Sequence, residues 1–335
     1  MQPTFSPKAR LASRVLGTGR FIPEKVLTNQ DFERMVDTSD EWITTRTGIK
    51  RRHIVAEDEA TSDLAARALE DALEDAGLGK GDIDALVIGT ATPDMMFPSA
   101  ACVVQDHLGL PNIPVFDVSA ACSGFIYSMM VANSLIAAGQ FERVAVIGAE
   151  TLTRITDYED RSSCVLFGDG AGAVILGPGD GERGVMAVYA GADGSLTRLL
   201  KMPAGGSRAP ASIETVQNRQ HYIYMEGSEV FKSAVRAMVS SAEKGLELAG
   251  IGPEEVDLLI THQANIRIIE ATAKYAGIPM DKVFVNVDRY GNMSSATIPI
   301  ALDEAQEQGL IGEGSNILTV AFGAGFTWGS VALRW

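Results

Sequence analysis

Cysteine and histidine are scarce in this chain. It has three of the first (Cys102, Cys122, Cys164) and four of the second (His53, His107, His221, His262) among 335 residues. An odd cysteine count without CxxC spacing excludes a disulfide framework and a zinc site. Positive charge is short as well: 28 Lys and Arg against 43 Asp and Glu leave a net charge of -15. That balance argues against a nucleic-acid partner, whose phosphates demand a basic surface, although it leaves room for local basic patches. No apolar run is long enough to span a bilayer, and the opening MQPTFSPKAR lacks the apolar core of a signal peptide. The expectation is a cytoplasmic chain with free thiols and neither membrane nor nucleic acid as partner.

What the chain does have is core. It is 46% hydrophobic and 21% charged, with 34 glycines, as suits an ordinary globular protein of one large or two medium domains. Apolar runs at 85–89 (ALVIG), 115–118 (VFDV), 144–149 (VAVIGA) and 173–177 (AVILG) read as buried strands, with helical stretches at 61–76, 99–108 and 123–138 between them. This alternation predicts an α/β fold with helices on both faces of its sheets.

The chain also repeats itself. ALEDAGLGKGDIDALVIG (72–89) is answered by GLELAGIGPEEVDLLITH (245–262), a shift of 173 positions. VFDVSAACSG (115–124) is answered by VNVDRYGNMS (285–294) at a shift of 170, each read as a strand turning into a helix. GDGAGAVILG (168–177) and GAGFTWGSVALRW (323–335) close the two halves. Two long copies imply a duplicated domain, divided here into 1–180, carrying Cys122, and 181–335, carrying His262 and Asn292. His262 falls opposite Gly89 and Asn292 opposite Cys122, both at carboxyl ends of expected strands, where α/β proteins build sites. The duplication brings the three residues toward one centre.

Cys122 stands among small neighbours in DVSAACSGF, which leave space for another molecule to reach the sulfur. At a strand-to-helix turn, the helix N-terminus is expected to lower the thiol pKa, and nearby backbone N–H groups can face an oxyanion. Cys102 and Cys164, within apolar runs, read as small hydrophobes. His262 and Asn292, side by side, can donate two hydrogen bonds to a developing enolate.

SAACSGF, HQANIRI, YGNMSSATIP, FGAGFTWGS and TSDEWITTRTGIKRRHI (38–54) together resemble β-ketoacyl-acyl-carrier-protein synthase III, the condensing-enzyme family that starts type II fatty-acid synthesis. The resemblance runs through nearly the whole chain. It implies a thiolase fold, two similar five-stranded halves in an αβαβα sandwich, and a homodimer. It also implies two half-reactions: Cys122 takes an acyl group from acyl-CoA, then condenses it with malonyl-acyl-carrier protein after loss of CO2, with His262 and Asn292 on the enolate. No metal or redox cofactor is implied.

The resemblance further assigns the acyl oxyanion hole to the backbone at Cys122 and Ala324, and CoA contacts to Thr38, Trp42, Arg46, Arg161 and Asn265. The acyl pocket goes to Phe97, at its floor, and Phe322. The carrier-protein patch goes to Lys232, Arg267 and Lys274. A bulky Phe97 favours a short primer such as acetyl. For Arg161, pairing with Asp160 or Glu159 is a plain alternative. The stretch 202–220 reads as a loop near the pocket mouth. Related readings are a synthase or acyltransferase for longer or secondary-metabolite primers, and a cysteine hydrolase built on Cys122 and His262.

Overall fold

The apolar runs become two sheets. The computed structural model describes residues 11–335, so the opening stretch discussed above lies outside the described residues. The first sheet has five strands in the order Ser13–Phe21, Asp169–Pro178, Val144–Thr151, Ala85–Gly89, Val115–Val118. Its last three strands run parallel and the others pair antiparallel. The second has four strands in the order Leu258–Thr261, Asn316–Gly323, Thr327–Arg334, Gly184–Ala192. Where a fifth strand would lie, Val283 makes a single parallel bridge to Leu259.

Burial explains the strand sequences. Val144–Thr151 is buried along its whole length, and a strand covered on both faces reads as a continuous apolar run. One cover is the helix Thr61–Asp75, whose Leu64, Ala65, Ala68, Leu69, Ala72 and Leu73 all pack into the first sheet's outer core. The helices Gly227–Ala249 and Ile266–Ala276 cover the outer face of the second sheet in the same way. Between the sheets lie Gly124–Ala137 and Thr297–Glu307, whose residues join both sheets in one core. The result is the five-layer αβαβα sandwich expected.

Two readings are corrected. VNVDRYG does not form a strand: Val287–Tyr290 is a short helix. The buried Asn286 takes its bonds from side chains instead of a ladder, its N–H donating to Gln263 Oε1 (3.0 Å) and its amide to Glu304 (2.8 Å). The equivalence of Cys122 and Asn292 fails by three residues. The turn Ala121–Ser123 is answered by Ser294–Ala296, each opening a central helix and each starting with positive φ, 46° at Ala121 and 47° at Ser294. Cys122 therefore corresponds to Ser295, at the shift of 173 that also relates Gly89 to His262. In the stretch 202–220, Ile213–Gln217 is a short helix capped by Ser212, and Arg219 ties its end to Asp157 (2.9 Å) and Glu159 (3.0 Å).

Candidate active site

Cys122, His262 and Asn292 come from three separate segments and line one cavity of about 130 Å³. Apart from Asn265 its wall is otherwise apolar, with Phe167, Phe231, Met238 and Phe322 among the lining residues. Cys122 sits in the turn that opens the helix Gly124–Ala137. Gly323 lies against it so closely that a Cβ there would meet the Cys122 nitrogen at 2.6 Å and the Ser123 nitrogen at 3.1 Å. The missing side chain lets the two segments pack this closely.

His262 ends the strand Leu258–Thr261 and is 3% exposed. The Thr297 hydroxyl holds its Nδ1 at 2.7 Å, leaving Nε2 as the other ring nitrogen. Burial pushes the imidazole down to about 3, so the ring is neutral. Asn292 is fixed by its backbone, which bonds Leu166 (2.9 Å) and Gly168 (3.0 Å). Its Oδ1 accepts from the Ser294 N–H at 2.9 Å. With the oxygen so used, the amide NH2 is the donor left for a ligand.

The thiol does not behave as the sequence suggests. Burial pushes Cys122 up to about 12; the Ser294 hydroxyl and the residue's own N–H act downward, and the Glu150 carboxyl acts upward once it is ionised. Desolvation of the sulfur outweighs the helix terminus. Cys122 itself is half-buried and free, as is Cys102, while Cys164 is fully buried.

The remaining expected residues divide. Phe322 lines the cavity and meets Phe326 edge to face at 4.7 Å. Ala324 follows the lining residue Gly323 and does not itself line the cavity. Asn265 links two groups: it lines the cavity, caps the helix Ile266–Ala276 and donates to the Arg46 carbonyl at 2.9 Å. Arg46 in turn lies over the Trp42 ring at 4.8 Å. Arg161 pairs with Asp37 at 2.9 Å, not with Asp160 or Glu159. The Thr38 hydroxyl is buried without a partner among the described residues. Arg267 lies over the lining Phe231 at 5.4 Å. Lys232 is held by Glu229 at 2.8 Å, and Lys274 lies over Tyr275 at 5.7 Å.

Phe97 stands away from this chain's own cavity. It is 85% exposed and does not line the cavity, because the turn that carries it runs along the surface before the helix Ala100–Leu108. Sequence reasoning passed over Glu150, Ser294, Ser295 and Thr297. The last three stand in NMSSAT beside Asn292, and hydroxyls so near an expected turn were the available signal.

Among the described residues no group of three or more His, Cys, Asp or Glu could hold a metal ion, and no helix is long and apolar enough to cross a membrane. Residues 116–194 match the family model described as 3-oxoacyl-[acyl-carrier-protein] synthase III, and 246–335 match that of its C-terminal part. The β-ketoacyl-[acyl-carrier-protein] synthase III of Caldanaerobacter subterraneus subsp. tengcongensis is 55% identical over 97% of this chain and 98% of its own. That of Clostridioides difficile is 50% identical over 96% and 98%. The crystal structure of 3-oxoacyl-[acyl-carrier-protein] synthase III from Aquifex aeolicus superposes with a TM-score of 0.89 at 48% identity, covering 96% of this chain and 100% of that one. The cavity, the sandwich around it and these likenesses lead to one conclusion: the chain belongs to the β-ketoacyl-acyl-carrier-protein synthase III family of thiolase-fold condensing enzymes.

Proposed function

We propose that this chain starts type II fatty-acid synthesis by two half-reactions in the cavity of Cys122, His262 and Asn292. The observation that carries the reading is the meeting of these three residues, distant in sequence, in one mainly apolar pocket. In the first half-reaction Cys122 sulfur attacks the thioester carbonyl of acyl-CoA. The sulfur–carbon bond to Cys122 forms, the bond to CoA breaks, and the thiol proton leaves with the CoA sulfur. The Cys122 N–H and the backbone at Ala324 hold the oxyanion. In the second, malonyl-acyl-carrier protein loses CO2, and the resulting enolate carbon attacks the acyl-cysteine. The bond from the acyl carbon to Cys122 breaks, and the sulfur leaves as a thiolate that takes up one proton from solvent to restore the thiol. A 3-oxoacyl-acyl-carrier protein forms.

The electrostatics support this division of labour. A ring with a pKa of about 3 is a very weak base toward a thiol at about 12, so His262 acts as a neutral donor. With the Thr297 hydrogen turned to Nδ1 at 2.7 Å, the shorter of its two contacts (the Ser294 carbonyl is at 2.9 Å), the ring hydrogen sits on Nε2, in the same cavity as the Asn292 NH2. Two neutral donors suit an enolate. A cysteine hydrolase, which relies on a thiolate–imidazolium pair, is disfavoured by the same burial.

CoA lies along Trp42, Arg46, Asn265, Thr38 and Arg161, and the carrier protein meets Lys232, Arg267 and Lys274, where cations steer an acidic partner. Division at 180/181 falls between the last strand of one sheet, ending at Pro178, and the first of the other, starting at Gly184. Free cysteines suit the cytoplasm. The working form is a homodimer: Met95, Met96 and Phe97 are 47%, 77% and 85% exposed together, an apolar patch that a second copy would cover. Phe97 can then serve as an acyl-pocket floor only for the cavity of the other copy. The test offers purified enzyme a panel of acyl-CoAs with malonyl-acyl-carrier protein and reads products by mass. A 3-oxobutanoyl product from acetyl-CoA is expected; free acid alone contradicts the reading.

A further inference from the structure

Behind Cys122 lies a carboxyl for which the two half-reactions have no use. Glu150 is the last residue but one of the strand Val144–Thr151 and is 0% exposed. Its partners are all neutral: the Thr92 hydroxyl at 2.6 Å, the Ala91 N–H at 3.1 and 3.2 Å, the Thr90 hydroxyl at 3.3 Å and the Ser295 hydroxyl at 3.0 Å. Among the described residues it makes no ion pair. A carboxylate buried without a cation is costly, and such groups keep their proton instead.

The hydroxyl inventory points the same way. Ser295 has one hydrogen, and its shorter bond, 2.6 Å, runs to the Gly89 carbonyl, which can only accept. At its contact with Glu150 Oε1 the serine therefore offers a lone pair. Oε1 must supply the hydrogen, while Oε2 accepts from Thr92 and Ala91. Burial raises the pKa of the carboxyl in agreement.

We propose that Glu150 is a protonated positioning residue that bridges the two halves, tying the Ser294–Ser295 turn after Asn292 to the end of the first sheet while placing no charge behind the thiol. The elements around it are Ala85–Gly89 with Thr90–Thr92, the strand Asp169–Pro178, whose Gly170 stands opposite it in the ladder, and the turns Ala121–Ser123 and Ser294–Ala296. The titratable groups on these segments are Cys122 and Asp169, the latter held by the Thr153 and Val55 N–H groups. The Ser294 hydroxyl lies within reach of both the thiol and the carboxyl, so the same turn contacts the nucleophile, the carboxyl and Asn292.

This assignment rests on the reading above for what the site accomplishes, but the protonation state is measurable with no substrate present. Infrared difference spectra of wild type minus Glu150→Gln at pH 7 should show the C=O band of a buried carboxylic acid. A carboxylate signature overturns the proposal. Alkylation of Cys122 by iodoacetamide between pH 7 and 9 should differ by less than about twofold between the two proteins. An acceleration of about tenfold in the Gln variant, the mark of a removed negative charge, overturns it. Condensation should fall about tenfold or more in Glu150→Ala, which leaves the hydroxyls unpaired, and Gln, able to donate to Ser295, should restore it. A Gln variant as impaired as Ala overturns the positioning role.

Discussion

At the residue scale the chemistry of the site was partly legible. Cys122 is recognisable from its slender neighbours, and His262 from its place after LLIT, because both signals are local. The thiol pKa was not: whether helix terminus or burial wins depends on how much protein closes over the sulfur, which no flanking sequence states. His262 carries a related consequence. Its pKa falls from an ordinary 6.5 to about 3 on burial, so between those values the unfolded chain binds a proton that the folded one refuses. Stability attributable to this residue is complete above pH 6.5 and is lost as pH falls toward 3, with a slope of up to about 1.4 kcal/mol per pH unit. Denaturant titrations of wild type and His262→Asn from pH 7 to 4 should show the wild type losing stability faster. Parallel curves contradict a buried, neutral ring.

At the element scale the helices at 61–75, 100–108 and 124–137 and the strands at 85–89 and 115–118 match the periodic and apolar patterns almost end for end, since each is decided by its own burial. The runs 144–149 and 173–177 fall short of Val144–Thr151 and Asp169–Pro178, and Ser13–Phe21 is not among the expected strands. The fifth strand of the second half was misread because Asn286 finds its partners in Gln263 and Glu304, residues 23 and 18 positions away. The error of three positions between Cys122 and Asn292 has the same origin. Matching by strand ends is blind to the turn, where Ala121 and Ser294 share an unusual φ. The approach of one element to another gives a sharp test at Gly323. A methyl there would press on the Cys122 and Ser123 nitrogens, so Gly323→Ala should fold normally by circular dichroism and lose loading of Cys122 by about 100-fold. Loading at the wild-type rate would show that the two segments are not packed as described.

At the scale of the whole molecule, duplication was the most reliable signal. Helices Gly124–Ala137 and Thr297–Glu307 share the one core between the sheets, and the turns that open them carry Cys122 and Ser295. Phe97 lies outside its own chain's cavity. Its exposure beside Met95 and Met96 argues for a second copy over that face. Sedimentation should give a dimer for the wild type and a shift toward monomer for Phe97→Asp, since a charge in a closed apolar contact has no partner. A dimer equally stable in both places the interface elsewhere.

Separating the half-reactions tests the central claim most directly: intact-protein and peptide mass spectra after exposure to acetyl-CoA alone, for wild type, Cys122→Ala, His262→Ala and Asn292→Ala, each followed by malonyl-acyl-carrier protein. One acetyl group should appear on the Cys122 peptide of all but Cys122→Ala, and only the wild type should go on to a 3-oxoacyl product. Acetyl on another residue, or its loss from Asn292→Ala and His262→Ala as well, would contradict a cavity in which one side chain carries the acyl group and two others hold the enolate.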